Sequence, residues 1–396
     1  MFEIITAAAA DPIIGLNEAF NADPRPNKIN LGVGVYKDNQ GLTPILQCVK
    51  QAEDRMLAQQ TSKNYLTIDG SPAYRQTVMA LLFGEDHPVL QQQRVRTLQA
   101  PGGTGALRVA ADFIKANLGN KRVWISNPSW VNHQQIFTTA GLEVAHYRYY
   151  DAPTKGFDFN GMLADLNQLS SDDVVILHGC CHNPTGIDPT YEQWQQLAHS
   201  AKEKGWLPLF DFAYQGFAID EQADAAGLRY FADILDELLV ANSFSKNFGL
   251  YNERVGGVSI VAASNEDAER ALSQLKRSIR ANYSTPPNHG GEVVATILAD
   301  AELRALWLAE LAQMRERIQQ MRIALVEGLH AAGIDADFQF IAEQNGMFSF
   351  SGLNPEQVAR LRDEHAIYIV GSGRISVAGI TTDNLPALIA AIKAVW

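Results

Sequence analysis

The chain has 396 residues, of which 46% are hydrophobic and 19% charged, a composition typical of a globular protein with a sizeable core and about two domains. Its formal net charge of −12, without any basic run, argues against binding to nucleic acid. No apolar run approaches the roughly 20 residues that a membrane-spanning helix needs, so we expect neither nucleic acid nor membrane as a partner.

The N-terminus and the cysteines point to a reducing compartment. An acidic residue, Glu3, stands where a signal peptide has basic residues, so secretion is not expected. Cys48, Cys180 and Cys181 are too few and unsuitably spaced for a disulfide framework or a zinc site. The adjacent pair could be redox active, but free cysteines are usually buried, and we favour buried thiols. These features predict a cytoplasmic protein.

The first 32 residues are predicted to form an extended arm. Asp-Pro pairs at 11–12 and 23–24 indicate irregular backbone rather than a helix or strand. Phe2, Ile4 and Ile5 have no local packing partner, so the arm is interpreted as a latch onto a second subunit.

Short apolar strands then alternate with amphipathic helices. Residues 31–36 read as a glycine-interrupted strand and residues 44–59 as a helix. Further strands are expected at Val95–Gln99, Val123–Ser126, Glu143–Tyr147, Val174–His178, Leu207–Asp211, Leu238–Ser243 and Gly257–Val261. The helices between them include Ala106–Ala116, Val131–Thr139, Tyr191–Lys204 and Asp267–Arg277. This alternation predicts an α/β fold, a mostly parallel sheet wrapped by helices, with ligands at the carboxyl ends of its strands.

A helical pattern from Glu302 to about Ala332 is unusually long and is predicted to bridge two domains. Shorter elements follow it: a strand at Met347–Phe350, a helix at Pro355–Glu364, strands near Ile367–Val370 and Ile375–Ala378, and a helix from Asn384. We therefore predict an N-terminal arm and part of a small domain at 1–43, a large domain at 44–314, and a smaller α+β domain at 315–396.

Lys246 follows an expected apolar strand and is accompanied by Ser243, Ser245 and Arg254. Burial lowers the pKa of a lysine and makes its amine nucleophilic. Hydroxyls and a guanidinium nearby are suited to bind phosphate. The stretch is therefore consistent with a lysine that holds a phosphorylated aldehyde cofactor as an imine. An ordinary surface lysine is the alternative, and this stretch alone does not decide between them.

A glycine-rich turn, Pro101–Gly105, lies between an expected strand and a helix. Its backbone could close on an anion at the helix N-terminus, with Thr104 adding a hydroxyl. A tight turn without a ligand remains the alternative. Neither a Gly-x-Gly-x-x-Gly motif nor a Walker lysine is present, so a nucleotide site is disfavoured.

Asp211 ends another apolar strand, where an acid is costly unless it is paired. A protonated ring nitrogen would be such a partner, and Tyr214 could reach the same ring. The alternative for Asp211 is a helix N-cap. Trp130, at the end of a further strand, could stack on a planar ring or belong to the core.

The loop 178–186 contains two histidines and Asn183, whose amide is turned away from the chain by the proline that follows. A metal is disfavoured because His178 and His182 lack a third ligand at useful spacing. Arg280 and glycine-flanked Arg374 lie in loop contexts suited to bind carboxylates, although each alone could form a surface salt bridge.

Taken in chain order, four motifs resemble a known family: Gly102–Gly105, Asn183–Gly186, Asp211–Tyr214, and Ser243–Lys246 with Arg254. Their order and spacing resemble those of the pyridoxal-phosphate aminotransferases of fold type I, over essentially the whole chain. The sequence looks most similar to bacterial aspartate aminotransferases and their sister aromatic-amino-acid aminotransferases.

This resemblance implies roles for individual residues. The catalytic residues would be Lys246, which forms the imine, Asp211, which pairs with the ring nitrogen, and Tyr214. The implied cofactor-binding residues are Gly102, Gly103, Thr104, Trp130, Asn183, Asp211, Tyr214, Ser243, Ser245, Lys246, Arg254 and a neighbouring subunit's Tyr65. The implied substrate-binding residues are Gly34, Trp130, Asn183, Arg280 and Arg374. His133 would support Asp211, no metal is implied, and Arg280 would come from the neighbour, so a homodimer with shared active sites is expected.

The resemblance also implies the reaction: reversible amino transfer from L-aspartate to 2-oxoglutarate, giving oxaloacetate and L-glutamate, with side activity on aromatic amino acids. Residues 63–66 and the glycine-rich turn lean towards aspartate. An aromatic-amino-acid aminotransferase is the alternative. Other pyridoxal-phosphate reactions would share the cofactor residues, and a nucleotide-linked oxidoreductase or a non-catalytic binder would leave Lys246 and Asp211 unexplained.

Overall fold

The computed structural model describes residues 1–7 and 14–396, so the Asp11-Pro12 pair lies outside the described residues. The strands are β1 Ile29–Asn30, β2 Val95–Pro101, β3 Arg122–Asn127, β4 Glu143–Arg148, β5 Tyr150–Asp151, β6 Gly156–Phe157, β7 Asp173–His178, β8 Leu207–Phe212, β9 Leu238–Ser243, β10 Val255–Val261, β11 Phe348–Phe350, β12 Ile367–Tyr368 and β13 Arg374–Ser376. The helices are α1 Ile14–Ala22, α2 Gln47–Gln59, α3 Pro72–Phe83, α4 Pro88–Gln91, α5 Gly102–Asn117, α6 Val131–Thr139, α7 Phe159–Leu166, α8 Tyr191–Lys204, α9 Ala226–Ile234, α10 Asn265–Asn282, α11 Asn288–Ala299, α12 Ala301–Ala331, α13 Gln339–Glu343, α14 Pro355–His365 and α15 Leu385–Val395.

The chain divides into two compact units. The smaller unit comprises Met1–Thr43, Pro184–Gly186 and Arg317–Trp396, and the larger unit comprises Pro44–Asn183 and Ile187–Glu316. The division at 316–317 falls within α12, whose observed span agrees with the predicted one to within one residue at each end. In the described part of the chain, no helix combines the length and the apolar character needed to cross a membrane.

A seven-stranded sheet forms the centre of the larger unit, in the order β2-β10-β9-β8-β7-β3-β4. Strand β10 runs antiparallel to β2 and β9, and the remaining pairs are parallel. This arrangement confirms the predicted α/β fold with a mostly parallel sheet. All six residues of β7 are buried, as expected for a central strand that helices cover on both faces.

The core of the larger unit forms where helix α5 packs on the sheet. Ala106, Leu107, Ala110 and Ile114 recur at helical spacing and are fully buried against strand residues such as Leu98. At about 25 cal/mol per Å² of apolar surface, burial of this face contributes several kcal/mol to folding. The helix is thereby fixed with its first turn at the end of β2.

In the smaller unit, β1 pairs in parallel with β12, and β11 pairs antiparallel with β13. Arg322, on α12, is completely buried. Its guanidinium donates to backbone carbonyls at Ile341, Asn345, Gly346 and Phe348, and to the Ser349 hydroxyl. These bonds are made by the two terminal nitrogens of the guanidinium, and they hold the segment before β11 and the strand itself against the helix.

Two local predictions were wrong. The N-terminal arm is not wholly extended, since it contains the helix α1, which ends just before Asp23-Pro24. Proline is common just after a helix end, so this proline marks the boundary of a helix rather than the absence of one. Residues 31–36 do not form a strand: the strand is Ile29–Asn30, and the Asn30 side chain accepts from the Gly32 N–H at 3.0 Å, a local turn that competes with strand pairing.

Candidate active site

Strands β2, β3, β7, β8 and β9 all end on one edge of the central sheet. The register places His178 beside Asp211, and Asp211 beside Ala241 of β9. Most of the site residues predicted in the larger unit belong to these strand ends or to the loops that follow them. The edge therefore brings together side chains that are far apart in sequence, as expected for an α/β sheet.

Lys246 lies in the turn after β9 and is partly buried. Its Nζ is 4.8 Å from the ring centroid of Tyr214, which is itself buried. Burial lowers the pKa of Lys246; the carboxylate of Asp211 opposes this shift and the charge of Arg254 adds to it. The pKa therefore lies below the ordinary lysine value, so a larger fraction of the amine is neutral and nucleophilic than in an exposed lysine. The surface-lysine alternative is wrong.

Asp211 lies within β8 and is buried, so the N-cap alternative is wrong. Its Oδ2 is 2.8 Å from Nε2 of His133, on α6. Burial alone would raise the pKa of the carboxyl group, but the hydrogen bond from His133 and nearby positive charge outweigh this effect and hold the pKa below its ordinary value. The site therefore contains an ionised, buried carboxylate.

A directed chain of hydrogen bonds leads to this carboxylate. The backbone N–H of Asn183 donates to Nδ1 of His178 at 3.3 Å, which leaves the proton of that imidazole on Nε2. Nε2 lies 3.3 Å from Oγ of Ser129, and the same hydroxyl lies 2.8 Å from Nδ1 of His133. The Ser129 hydroxyl then donates to His133, whose Nε2–H donates to Asp211. His178 is neutral in this arrangement, in agreement with its lowered pKa.

The buried histidine should make the fold sensitive to acid. Burial is the main cause that lowers the pKa of His178 to about 3, and the neighbouring His133 adds to it, against the opposing charge of Asp211. Between about pH 6.5 and pH 3 the unfolded chain binds a proton that the folded chain does not. The free energy of unfolding should therefore fall as the pH falls through this window, by about 5 kcal/mol in total.

Urea unfolding of the cofactor-free protein at several pH values between 4.5 and 7.5 checks this. We expect a shallower pH dependence in His178→Gln than in the unsubstituted protein. His330→Gln is the matched control, because His330 is exposed on α12 and its replacement should leave the pH dependence unchanged. Equal slopes in His178→Gln and the unsubstituted protein would show that His178 is not the group responsible.

The loop before Asn183 is shaped by a second carboxylate. Asp188 accepts hydrogen bonds from the backbone N–H groups of Cys181 and His182, at 2.8 and 2.9 Å. The imidazole of His182 is buried, with Nε2 at 2.8 Å from Oγ of Ser126. Residues 1–7 and 14–396 contain no group of His, Cys, Asp or Glu arranged to hold a metal. The three cysteines are buried and form no disulfide, which confirms the prediction of buried thiols.

An anion cradle lies at the N-terminus of α5. Gly102 has φ of +73°, and a Cβ built there would lie 2.5 Å from a guanidinium nitrogen of Arg254. A Cβ at Gly103 would lie 3.1 Å from that of Ser243. The Ser243 hydroxyl donates to that of Ser245 at 3.2 Å, and Arg254 donates to Ser245 at 3.4 Å. Free helix N–H groups, hydroxyls and a guanidinium thus surround one space, which fits a phosphate group.

Thr104 lies in the first turn of α5, beside this cradle in sequence. Trp130 immediately precedes α6, and its ring meets that of His133 edge-on, with centroids 5.3 Å apart. Trp130 is only partly buried, and it packs against the core of the larger unit. The indole therefore meets the core, as one interpretation expected, while part of the side chain stays exposed beside His133.

Arg374 and Gly34 belong to the smaller unit. Arg374 is buried at the start of β13, donates to the carbonyl of Gly32 at 2.5 Å, and lies 4.2 Å above the ring of Phe348. A Cβ on Gly34 would meet the same ring at 2.4 Å, so only glycine fits there. The guanidinium is thus fixed by a carbonyl and an aromatic face, an arrangement suited to recognise a carboxylate.

Tyr65 and Arg280 lie on the surface of the larger unit. Tyr65 is 94% exposed, and Arg280, near the end of α10, is exposed and contacts Ser284. Arg280 lines an open groove of about 950 Å³ with Arg108 and Arg277. None of the contacts recorded within the described residues joins Tyr65 or Arg280 to Lys246. Their predicted roles therefore depend on a second copy of the chain.

Sequence reasoning did not identify Ser129 or Phe348. Ser129 precedes the first residue of α6 by two positions, and no pattern in the sequence links it with His133 on that helix. No pattern in the sequence links Phe348 with Arg374, because the contact depends on the pairing of β11 with β13.

Comparisons with known proteins agree with this geometry. Residues 26–392 match the family model described as "Aminotransferase class I and II". The aspartate aminotransferase of Escherichia coli K12 is 59% identical over 395 residues, and the aromatic-amino-acid aminotransferase of the same organism is 47% identical over 396; each comparison covers 100% of both chains.

Among solved structures, the aromatic-amino-acid aminotransferase from Burkholderia pseudomallei, covalently bound to pyridoxal phosphate, superposes with a TM-score of 0.98. The two sequences are 52% identical, and the match covers 100% of this chain and 99% of that one. The family match and the identities confirm the predicted family. The chain belongs to the class I and II aminotransferases.

Proposed function

We propose that this aminotransferase uses pyridoxal phosphate to transfer an amino group reversibly from L-aspartate to 2-oxoglutarate, giving oxaloacetate and L-glutamate, with side activity on aromatic amino acids. The observation that carries the proposal is that a partly buried lysine of lowered pKa and an ionised, buried carboxylate occur together at one edge of the sheet. The 59% identity to an aspartate aminotransferase supports the choice of aspartate.

The residues present fit pyridoxal phosphate, because the glycine cradle keeps open a space that a Cβ would fill. Its phosphate would be held by Gly102, Gly103, Thr104, Ser243, Ser245 and Arg254, with the partner's Tyr65. Asp211 would pair with the ring nitrogen, Asn183 and Tyr214 would bind the phenolic oxygen, Trp130 would stack on the ring, and Lys246 would bond to the aldehyde. When bound, the group supplies an electron sink for the charge that develops at the substrate Cα.

The chain's own residues would then perform the proton transfers. Nζ of Lys246 would take the proton from the substrate Cα and deliver it to the aldehyde-derived carbon of the cofactor, and it would run the transfer in the opposite direction with the second substrate. For this the amine must be neutral part of the time near neutral pH, which its lowered pKa favours. Asp211 remains ionised because its pKa is held low, so it stabilises positive charge on its partner throughout the reaction. His133 and Ser129 keep the carboxylate oriented.

Substrate recognition would depend on two arginines. Arg374 would bind the α-carboxylate, and the partner's Arg280 would bind the distal carboxylate of aspartate or glutamate. This proposal requires a homodimer with shared active sites. The exposed apolar residues Phe2, Ile4 and Ile5 support it, since they would be covered if the N-terminal arm acts as a latch. We also place the enzyme in the cytoplasm, where cysteines remain reduced, as the three buried thiols are here.

An aromatic-amino-acid aminotransferase is the second candidate. The TM-score of 0.98 and 52% identity to the Burkholderia pseudomallei enzyme favour it specifically. Both candidates use the same cofactor residues and an α-carboxylate site. They differ in whether the distal arginine or an apolar surface receives most of the substrate side chain.

Steady-state kinetics with aspartate, tyrosine and phenylalanine, each against 2-oxoglutarate, distinguish the two. We expect kcat/KM for aspartate to exceed that for phenylalanine by about 10-fold or more, because a charge-paired carboxylate is worth at least about 1.4 kcal/mol here. The holoenzyme should be yellow and should lose its visible band when aspartate is added. A higher kcat/KM for phenylalanine or tyrosine would favour the second candidate, and a colourless protein would contradict both.

A further inference from the structure

A buried carboxylate outside the predicted site, Asp224, accepts three backbone hydrogen bonds. Oδ2 accepts from the N–H groups of Gly216 and Ala218 at 2.8 and 3.0 Å, and Oδ1 accepts from that of Ile219 at 2.8 Å. The residue is 6% exposed, and it takes part in none of the salt bridges recorded in residues 1–7 and 14–396. Its oxygens are therefore directed at one loop.

That loop, residues 214–219, begins with the tyrosine that contacts Lys246. The Phe217 N–H donates to the Tyr214 carbonyl at 3.0 Å and forms a tight turn. Gly216 has φ of +95°, and a Cβ there would lie 2.3 Å from Leu311, so the turn admits only glycine. The position of the Tyr214 ring against Nζ of Lys246, at 4.8 Å, thus depends on how the turn is held.

The same loop is bonded to the residue that follows the lysine. The Asn247 side chain donates to the Gln215 carbonyl at 3.1 Å, and the Asn247 carbonyl accepts from the Trp307 indole N–H at 2.7 Å. The Gly216 carbonyl accepts from Arg315 at 2.8 Å. The loop is therefore bonded through the Gln215 carbonyl to the residue after Lys246, and through the N–H groups of Gly216, Ala218 and Ile219 to Asp224.

Asp224 is an ionisable side chain at a buried position where a neutral side chain would cost less to bury. Burial raises the pKa of Asp224 to about 6, against the three hydrogen bonds, so keeping an ionised group here is costly. Asparagine could satisfy these three donors only in part, because its NH₂ group would face at least one backbone N–H. The carboxylate is thus the group that can accept from all three donors at once.

We propose that Asp224 is a positioning residue of this aminotransferase: its carboxylate fixes the loop 214–219 and thereby holds Tyr214 in place against Lys246 for binding the cofactor's phenolic oxygen. The inference rests on the function proposed above. Asp224 itself would contact neither cofactor nor substrate, and its carboxylate would act through the position of Tyr214.

The first test needs no cofactor. In the cofactor-free protein, hydrogen–deuterium exchange of the peptide spanning 214–220 should be about 10-fold faster in Asp224→Asn than in the unsubstituted protein, because at least one N–H loses its acceptor. Asp220→Asn is the matched control. Asp220 also accepts two backbone bonds, from Gln222 and Ala223, but asparagine serves equally well at such a turn. Unchanged exchange in Asp224→Asn would overturn the proposal, whatever the fate of the proposed function.

The second test is a double-mutant cycle on the holoenzyme. Asp224→Asn should weaken pyridoxal-phosphate affinity and lower kcat by about 10-fold each, while KM for 2-oxoglutarate stays unchanged. In a Tyr214→Phe background, the same substitution should lower cofactor affinity and kcat little further. Additive losses, or a change in KM alone, would show that Asp224 acts on the fold in general and not through Tyr214.

Asp224→Glu is the second variant, for use if the asparagine variant does not fold. It keeps the negative charge. Its oxygens are displaced by one methylene, so we expect losses that are again suppressed in the Tyr214→Phe background. If Lys246→Ala binds no cofactor and shows full activity while the exchange result holds, the proposed function fails and the loop-fixing role of Asp224 stands alone.

Discussion

Replacing Lys246 with alanine is expected to lower turnover with aspartate by about 10⁴-fold or more, because one substitution removes both the nucleophilic amine and the base for the Cα proton. The pKa of Lys246 is lowered mainly by burial, so its amine is prepared for both roles. Single-turnover kinetics, followed through the visible band of the holoenzyme, measure the loss.

The cofactor itself should remain bound to Lys246→Ala, since the phosphate cradle at Gly102, Ser243 and Arg254 does not include the lysine. Reduction with borohydride followed by peptide mass mapping should label the peptide containing Lys246 in the unsubstituted protein and no peptide in the variant.

Arg254→Ala is the contrasting variant. It removes one charged group from the cradle, so affinity for pyridoxal phosphate should fall while some turnover returns at saturating cofactor. If Lys246→Ala retained turnover within a factor of ten of the unsubstituted protein, the assignment of the lysine would be wrong.

The sheet could be predicted from the sequence because its strands are short apolar runs, each followed by polar or glycine-rich loops. The helix α1 could not, since the proline pairs near its ends were interpreted as signs of irregular backbone. The partner of β1 could not be predicted either. Ile29 pairs with Ile367, more than 300 positions away, and neither residue type indicates the other.

Within the site, side chains with distinctive chemistry were predictable. Lys246, Asp211 and the glycine-rich turn are each unusual in an apolar context, and a family resemblance connected them. Asp188 and Asp224 were not predictable, because their partners are backbone N–H groups, which every residue except proline carries. Only the folded chain shows from which backbone N–H groups such a carboxylate accepts hydrogen bonds.

Asp211→Asn is expected to lower kcat/KM for aspartate by about 10²–10³-fold, the usual cost of removing one group that stabilises developing charge. The substitution is nearly isosteric. In the unsubstituted protein, Nε2 of His133 lies 2.8 Å from Oδ2 of Asp211. The amide oxygen of asparagine can accept the same hydrogen bond, so the arrangement can persist while the negative charge is lost. The expected loss therefore reports the charge and not the shape of the side chain.

His133→Gln separates charge from orientation. The carboxylate of Asp211 remains, but it loses the hydrogen bond that most lowers its pKa, so the pKa should rise towards the ordinary range while the group stays ionised near neutral pH. Without its orienting partner the carboxylate should stabilise positive charge on the cofactor less effectively. We expect the single-turnover rate to fall by about 10-fold, a smaller loss than that of Asp211→Asn. Single-turnover rates at pH 7.5 for both variants make the comparison. Equal losses would mean that orientation by His133, and not the negative charge of Asp211, determines the rate.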